Sequence, residues 1–361
     1  MTIKGVVYVP AGDPGEREGE RTGLHQVANR PIAGLILDEL AGAGVDSLAV
    51  VAAPEQLDEL RAGIGDDAAG ELDVSFLELP ASRRLAGALS AAGAFVGDAG
   101  AILYLATGLL GQPCEPLVVS AGRQHEDLRL LLHRGREGCA PLSARTERLL
   151  GVSELGSSGG RLSLAGVAVF SPGAFARAAR SLVRGPGRPE VGGAEPAQEL
   201  IAIADELAGE GLTVAAGLVN GWCDYSPEPA VLLELNRSVL DRQATSIHHH
   251  AGGSGNRIEG RVVIHPTAEV TASVILGPTL IGPGARIADA YIGPYTTIGA
   301  GAVIKNCEIL RSIVGPEARL SHVGGRIEGS TIGPGANIFR DFRLPRAMRL
   351  HVGERVEISL S

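Results

Sequence analysis

Residues 281–304 read IGPGARIADAYIGPYTTIGAGAVI, and their aliphatic residues recur at a fixed interval: Ile281 and Ile287, then Ile292, Ile298 and Ile304. The same six-residue step appears on both sides, at Ile258, Ile264 and Val270 before and at Ile332 and Ile338 after. Small and turn residues fill the gaps. A hexapeptide period is the signature of a parallel β-helix. Each hexapeptide lays a short strand on one flat face and turns its aliphatic residue inward, where such residues stack in a column. Single coils cannot bury their faces, so they stack on one another and commonly support oligomers. The reading is a left-handed β-helix over 258–361, with LPRAMRLHVGERVEISL (344–360) as its cap.

Upstream of the repeats lies TSIHHHAGGSGN (245–256), a Gly/Ser/His segment that reads as a linker over 244–257. Three adjacent histidines, His248, His249 and His250, do not readily converge on one ion, so they read as solvated linker rather than metal ligands.

Residues 1–243 alternate strand and helix signals. Strands are expected at Val6–Val9, Ser47–Ala53, Val74–Leu79, Ala101–Leu105, Leu162–Phe170 and Thr213–Val219. Helices are expected at 31–44, which Pro31 can open, and at 84–96, 126–133, 174–183, 198–208 and 229–242. This rhythm predicts an α/β, Rossmann-like domain whose mostly parallel sheet is covered on both faces. Ligands on such sheets bind at the carboxyl ends of the strands, so the loops after Val9, Leu105 and Val219 are where chemistry is expected.

Composition narrows the partners. A formal net charge of -9 and an aromatic content of 3% argue against nucleic acid. No apolar run reaches the roughly 18 residues of a membrane span, and the N-terminus MTIKGVVYVP lacks a signal-peptide pattern. A cytoplasmic protein is expected. The cysteines Cys114, Cys139, Cys223 and Cys307 show no zinc spacing and read as reduced thiols. The only lysines are Lys4 and Lys305, which leaves a lysine-dependent phosphate site almost nowhere to come from.

The order of parts resembles the long-form glucose-1-phosphate thymidylyltransferases, a family of sugar-1-phosphate nucleotidyltransferases. The residues that carry the resemblance are VANRPI (27–32), GVDSLAVVAAPE (44–55), FVGDAGAILYLATGLL (95–110), LAGVAVFSPGAF (164–175), GWCDYSPEPAVLLELNRSVL (221–240) and the β-helix with its tail. The resemblance implies a nucleotidyltransferase domain, a sheet-edge active site with Mg²⁺, and a dimer or tetramer.

The motifs that carry the family's chemistry differ here. Where the family has Gly-Gly-x-Gly-Thr-Arg-Leu, a nest of backbone N–H groups for the triphosphate, this chain has PAGDPGEREGERTGLHQ (10–26). Pro10 and Pro14 remove donors, and Asp13, Glu16, Glu18 and Glu20 place negative charge where phosphate would sit. The family's catalytic aspartate matches Thr107, a far weaker Mg²⁺ ligand than a carboxylate. The second metal aspartate matches Asp224 in Trp222-Cys223-Asp224-Tyr225, whereas Asp98 precedes its strand and falls at the wrong end of the sheet. The base-reading Gln matches Leu79, the Gly after it matches the bulky Arg84, and the sugar-phosphate lysine matches Leu155. A lost Mg²⁺ site and no cofactor are therefore expected.

Three functions stay open on this reading. One is a non-catalytic homologue, a scaffold or regulatory subunit. The second is an enzyme repurposed in the same cleft, with His25, Thr107, Asp224 and Tyr225 as cleft candidates. There His25 would be a base that Asp224 orients; as plain structure, His25 is a loop residue and Cys223 a small hydrophobe. The third is a thymidylyltransferase with an aberrant site. In any of them Arg21, Arg30 and Arg84 could pair with a carboxylate or phosphate. A homo-oligomer is expected, its contacts drawn from outward, uncharged positions of the β-helix: Pro283, Ala285, Pro294, Tyr295, Ala300 and Ala302.

Overall fold

The computed structural model describes residues 2–11, 25–45, 47–64, 73–80, 84–111, 114, 116–117, 126–134, 162–184, 196–242 and 255–340. They fall into two compact units, 1–25 with 31–224, and 26–30 with 225–361. The expected boundary at 243 differs from this division, which counts the helix before it with the β-helix. Most of the expected linker 244–257 lies outside the described residues.

The first unit is built on β1 (Ile3–Tyr8), α1 (Ile32–Gly42), β4 (Ser47–Ala52), α2 (Pro54–Ile64), β5 (Asp73–Glu78), α3 (Leu85–Val96) and β6 (Gly100–Leu105). It continues through β7 (Gly108–Leu109), β8 (Leu128–Arg134), β9 (Leu162–Phe170), α4 (Ala174–Arg184), α5 (Pro196–Gly209), β10 (Val214–Leu218) and β11 (Cys223–Asp224). The short strands β2 (Gln26–Val27) and β3 (Arg30–Pro31) pair with each other. Seven strands form one sheet in the order β10-β8-β9-β6-β1-β4-β5. All neighbours are parallel except β9, which runs antiparallel to both β6 and β8. The carboxyl ends of β6 and β8 therefore share one edge of the sheet with the start of β9.

One core face is legible residue by residue. Leu128, Leu130 and Leu132 of β8 join Leu103, Leu105, Ala168, Phe170 and the helix residues Leu89, Phe175 and Leu200 in one buried cluster. The expected helix over 126–133 is instead strand β8. Its alternating Leu128, Leu130 and Leu132 face this core with the period of two that a strand requires. Leu131, buried on the other side, breaks the polar half of the alternation, because a central strand is covered on both faces.

The second unit holds α6 (Pro229–Arg242) and a β-helix of three 5-stranded parallel sheets. Sheet one is β12 (Arg257–Glu259), β15 (Val274–Leu276), β18 (Tyr291–Ile292), β21 (Glu308–Leu310) and β24 (Arg326–Glu328). Sheet two is β13 (Val262–Ile264), β16 (Thr279–Ile281), β19 (Thr296–Ile298), β22 (Ile313–Val314) and β25 (Thr331–Ile332). Sheet three is β14 (Glu269–Thr271), β17 (Arg286–Ala288), β20 (Val303–Lys305), β23 (Arg319–Ser321) and β26 (Asn337–Phe339).

The single expected column resolves into three. Registers align Ile258, Ile275, Ile292, Ile309 and Ile327 on sheet one, and Ile264, Ile281, Ile298, Val314 and Ile332 on sheet two. Val270, Ile287, Ile304, Leu320 and Ile338 align on sheet three. Residues six apart sit on successive faces, so their stacking partners are one full coil away. Ala285 and Ala302, expected to point outward, are instead fully buried with Ala268 and Ala318 in the core of the β-helix. These small side chains sit where the chain turns the corner between sheets two and three. No helix among the described residues is long and apolar enough to cross a membrane.

Candidate functional site

The carboxyl edge of β6 and β8 is closed by a two-stranded ribbon. β7 pairs antiparallel with β11, and the register sets Asp224 opposite Gly108, the residue after Thr107. The two positions that match the family's metal aspartates are thus neighbours in space. The ribbon is tight. A Cβ at Gly108 would lie 2.5 Å from Trp222 Cζ2 and 2.6 Å from the Cys223 carbonyl oxygen, closer than real side chains approach. A Cβ at Gly166 on β9 would lie 3.0 Å from both Thr107 Oγ1 and Trp222 Cη2. Glycine at these two positions lets the Trp222 indole lie against the sheet edge.

Trp222 organises the site. It is 7% exposed, its ring centroid is 6.0 Å from Tyr104 and 6.3 Å from His133, and its Nε1–H donates to Asp224 Oδ1 at 2.7 Å. His133, near the end of β8, is 4% exposed and pairs across the strands with Ser163, which is 3% exposed. His133 Nε2 and Ser163 Oγ have no hydrogen-bond partner. Burial lowers the His133 pKa below its ordinary value, against the opposing pull of the Asp224 carboxylate and a backbone hydrogen bond at Arg134. Burial thus favours the neutral imidazole.

These residues do not fit the Mg²⁺ that the resemblance implies. Thr107 supplies a hydroxyl in place of one carboxylate, and one oxygen of Asp224 is already committed to an indole N–H. Among the described residues no three His, Cys, Asp or Glu side chains are placed to share a metal ion.

A second cluster lies where α3 begins. Glu199 of α5 accepts the Leu85 N–H at 2.8 Å, capping the positive end of α3, and sits 3.8 Å from Arg84 Nε. Burial, with the Glu199 charge behind it, pushes the Tyr8 hydroxyl pKa upward at the end of β1. Arg84 is therefore engaged by a carboxylate of its own chain, and Leu79 is buried.

His25 is half-buried at the end of the first unit's opening segment, whereas Arg30 and Tyr225 count with the second unit. Arg21 and Leu155 lie outside the described residues, as does most of the acidic loop 10–26. Lys4 sits near the amino end of β1, donating to the Phe95 carbonyl and packing over its ring, and Lys305 is exposed on β20. Lys4 is thus at the opposite end of its strand from the carboxyl edge.

Sequence reasoning missed His133, Ser163 and Glu199. Reading 126–133 as a helix removed His133 from the sheet edge. Glu199 carries no local signal, since its role depends on two helices meeting.

Comparison with known proteins supports the whole-chain likeness. The chain is 29% identical over 347 residues to a glucose-1-phosphate thymidylyltransferase of Streptomyces antibioticus, covering 93% of each protein. It is 28% identical over 351 residues to the protein of that name in Streptomyces griseus, covering 94% of this chain and 93% of the relative. It is 26% identical over 353 residues to the low-salt glycan biosynthesis nucleotidyltransferase Agl11 of Haloferax volcanii, covering 93% of each. No protein-family model matches the chain. In fold it resembles a Bacillus anthracis chain solved with sucrose and described as a candidate glucose-1-phosphate thymidylyltransferase. That match has a TM-score of 0.51 at 14% identity and covers 68% of this chain and 98% of that one. Motifs, architecture and relatives agree, and the chain is a homologue of the sugar nucleotidyltransferases named glucose-1-phosphate thymidylyltransferase.

Proposed function

We propose that this chain is a nucleotidyltransferase homologue that has given up nucleotidyl transfer and works as a cytoplasmic scaffold or regulatory subunit, in a deoxysugar or secondary-metabolite pathway. The observation that carries the reading is the ribbon at the carboxyl edge. The two metal-aspartate positions meet there, but one is Thr107 and the other is a carboxylate bonded to Trp222. Phosphoryl and nucleotidyl transfer rest almost wholly on positioning and charge neutralisation. Here Lys4 lies at the amino end of β1 and Arg84 pairs with Glu199. The test is purified full-length protein with dTTP, Mg²⁺, glucose 1-phosphate and pyrophosphatase. No dTDP-glucose is expected, and turnover near about 1 s⁻¹, the low end for enzymes, would overturn the reading in favour of an active thymidylyltransferase.

One observation favours a second reading, a repurposed cleft. His133 is a buried imidazole with an unpartnered Nε2, beside Asp224 at the edge where such sheets bind ligands. A thermal-shift screen of phosphorylated and carboxylated sugars addresses it. Under this reading a hit is expected that Arg84→Ala, Arg30→Ala or Arg21→Ala weakens. Hits indifferent to all three substitutions would remove the arginines from the site.

A further inference from the structure

The outer surface of the β-helix differs by face. Sheet two is covered by its own chain at its central coil and presents the partly exposed Val263, Leu280 and Ile313 on the coils around it. Its outward residue Thr297 is fully buried, its hydroxyl donates to Asn236 Oδ1 of α6 at 2.7 Å, and Asn29 Nδ2 donates to the Ile298 carbonyl. Sheet three turns Glu269, Arg286, Lys305, Arg319 and Asn337 to solvent. Sheet one combines apolar and charged positions. Its central coils present the partly exposed apolar residues Val274, Leu276, Tyr291 and Leu310, and its end coils present charge: Arg257 and Glu259 at one end, Arg326 and Glu328 at the other.

The order of these residues along the strands is self-complementary. The first outward position of each coil reads Arg257, Val274, Tyr291, Glu308, Arg326, and the second reads Glu259, Leu276, Gly293, Leu310, Glu328. Two identical faces can meet about a two-fold axis parallel to the β-helix. That axis keeps each coil opposite its own copy and reverses strand direction, so first positions face second positions. Arg257 then meets Glu259 of the second copy, Arg326 meets Glu328, and Val274 meets Leu276. Tyr291 falls opposite the other copy's Gly293, a position its own chain already flanks, since a Cβ there would lie 2.7 Å from Leu310 Cβ and 3.2 Å from Tyr291 Cε1. Glu308 opposite Leu310 is the one mismatch, and Glu308 keeps its own Arg326 at 3.2 Å. An axis along the strands would instead set first positions on first positions, with Arg257 on Arg326 and Glu259 on Glu328, like charge on like. Closed two-fold contacts of this isologous kind are the commonest in homo-oligomers.

We infer that sheet one of the β-helix is the dimer face of this protein and binds a second copy, coil to coil, about an axis parallel to the β-helix. The inference names the surface behind the proposed assembly role and stands whether or not the cleft is catalytic. Five coils at ~4.8 Å spacing make a face ~24 Å tall, small for an interface, so a concentration-dependent dimer is expected.

The experiment is sedimentation of the full-length chain from about 1 to 100 µM, with Arg257→Glu, Arg326→Glu and the charge-swapped Arg257→Glu/Glu259→Arg beside wild type. The ion pairs within the chain are exposed and add little to folding, so circular dichroism should stay unchanged. A dimer that each single reversal weakens at least about tenfold, and the swap restores, is expected. Tightening by Arg257→Glu would select the other axis and overturn the proposal. So would a trimer, a dimer indifferent to all three variants, or a monomer in which the chain's own residues shield Tyr291 from labelling.

Discussion

At the scale of single residues, the protein carries its own reporter. Trp222 is the only tryptophan, and it sits at the centre of the candidate site. Gly108→Ala puts a methyl group 2.5 Å from its ring and 2.6 Å from a backbone oxygen, so the ribbon must move. Overpacking of this kind costs about 1–3 kcal/mol. A red shift of the tryptophan emission and a lower urea midpoint are expected; an unshifted spectrum would show the ribbon to be looser than its geometry. His133 gives a pH signature. Its folded pKa lies below the ordinary 6.5, so between these values the unfolded chain binds more protons. Stability should therefore fall as pH drops through 6.5, and rise again as pH is restored. His133→Gln should flatten that part of the curve, measured as urea midpoints from pH 7 down to about 5; parallel curves for the two proteins would contradict it. Thr107 and Asp224 could be read from the sequence because each follows a recognisable strand or motif. The interplay of His133, Ser163 and Trp222 could not, because it joins β8, β9 and the loop before β11, and no local pattern records which strands are neighbours.

Elements were easiest to read where one period dominates. The β-helix repeats its six-residue step, and every expected aliphatic lies on one of the three stacking columns. Strand β8 was hardest, since EDLRLLLHR is rich in helix-forming residues and its burial on both faces erases alternation. Tertiary pairing with β9 and β10 decides it. The same limit applies to Asn236, which reads as one polar residue on an amphipathic helix. It is 1% exposed and joins three elements: Oδ1 accepts from Ala28 N–H at 3.1 Å and from the Thr297 hydroxyl, and Nδ2 donates to the Tyr295 carbonyl at 3.2 Å. Truncation to Ala leaves buried donors unsatisfied, each at about 1–3 kcal/mol. Asn236→Ala should lower stability by about 2 kcal/mol or more and release the Ala28 amide to hydrogen exchange well before the strands of the β-helix. Protection at Ala28 equal to wild type would mean that the segment 26–30 is held by other contacts.

For the molecule as a whole, α/β first and β-helix second was evident from composition and period, but the division between them was not. The helix α6 looks like the last element of the α/β domain because it follows the final strand and precedes a Gly-rich segment. The structure groups it, with residues 26–30, in the β-helix unit. The bonds that do so are long-range in sequence: Asn236 to Thr297 and Tyr295, Asn29 to Ile298, and Tyr295 with Arg261 to Asp241. The β-helix is thus more than an appended assembly module, because the segment leading into α1 is anchored on it. A chain ending at residue 255 keeps α6 and 26–30 but strips away Thr297, Tyr295, Ile298 and Arg261 together. Asn236 and Asn29 lose their partners, and Leu235 and Leu240, fully buried in the intact chain, lose the support of their unit. Such a fragment should aggregate or be cut by protease within 229–242, while the sheet of the first unit keeps its circular-dichroism signal. A monodisperse fragment resisting protease through α6 would show that this helix belongs with the α/β unit after all. Because the fragment also lacks the proposed dimer face, a folded monomer would leave that inference intact while refuting this one, so the two outcomes can be told apart.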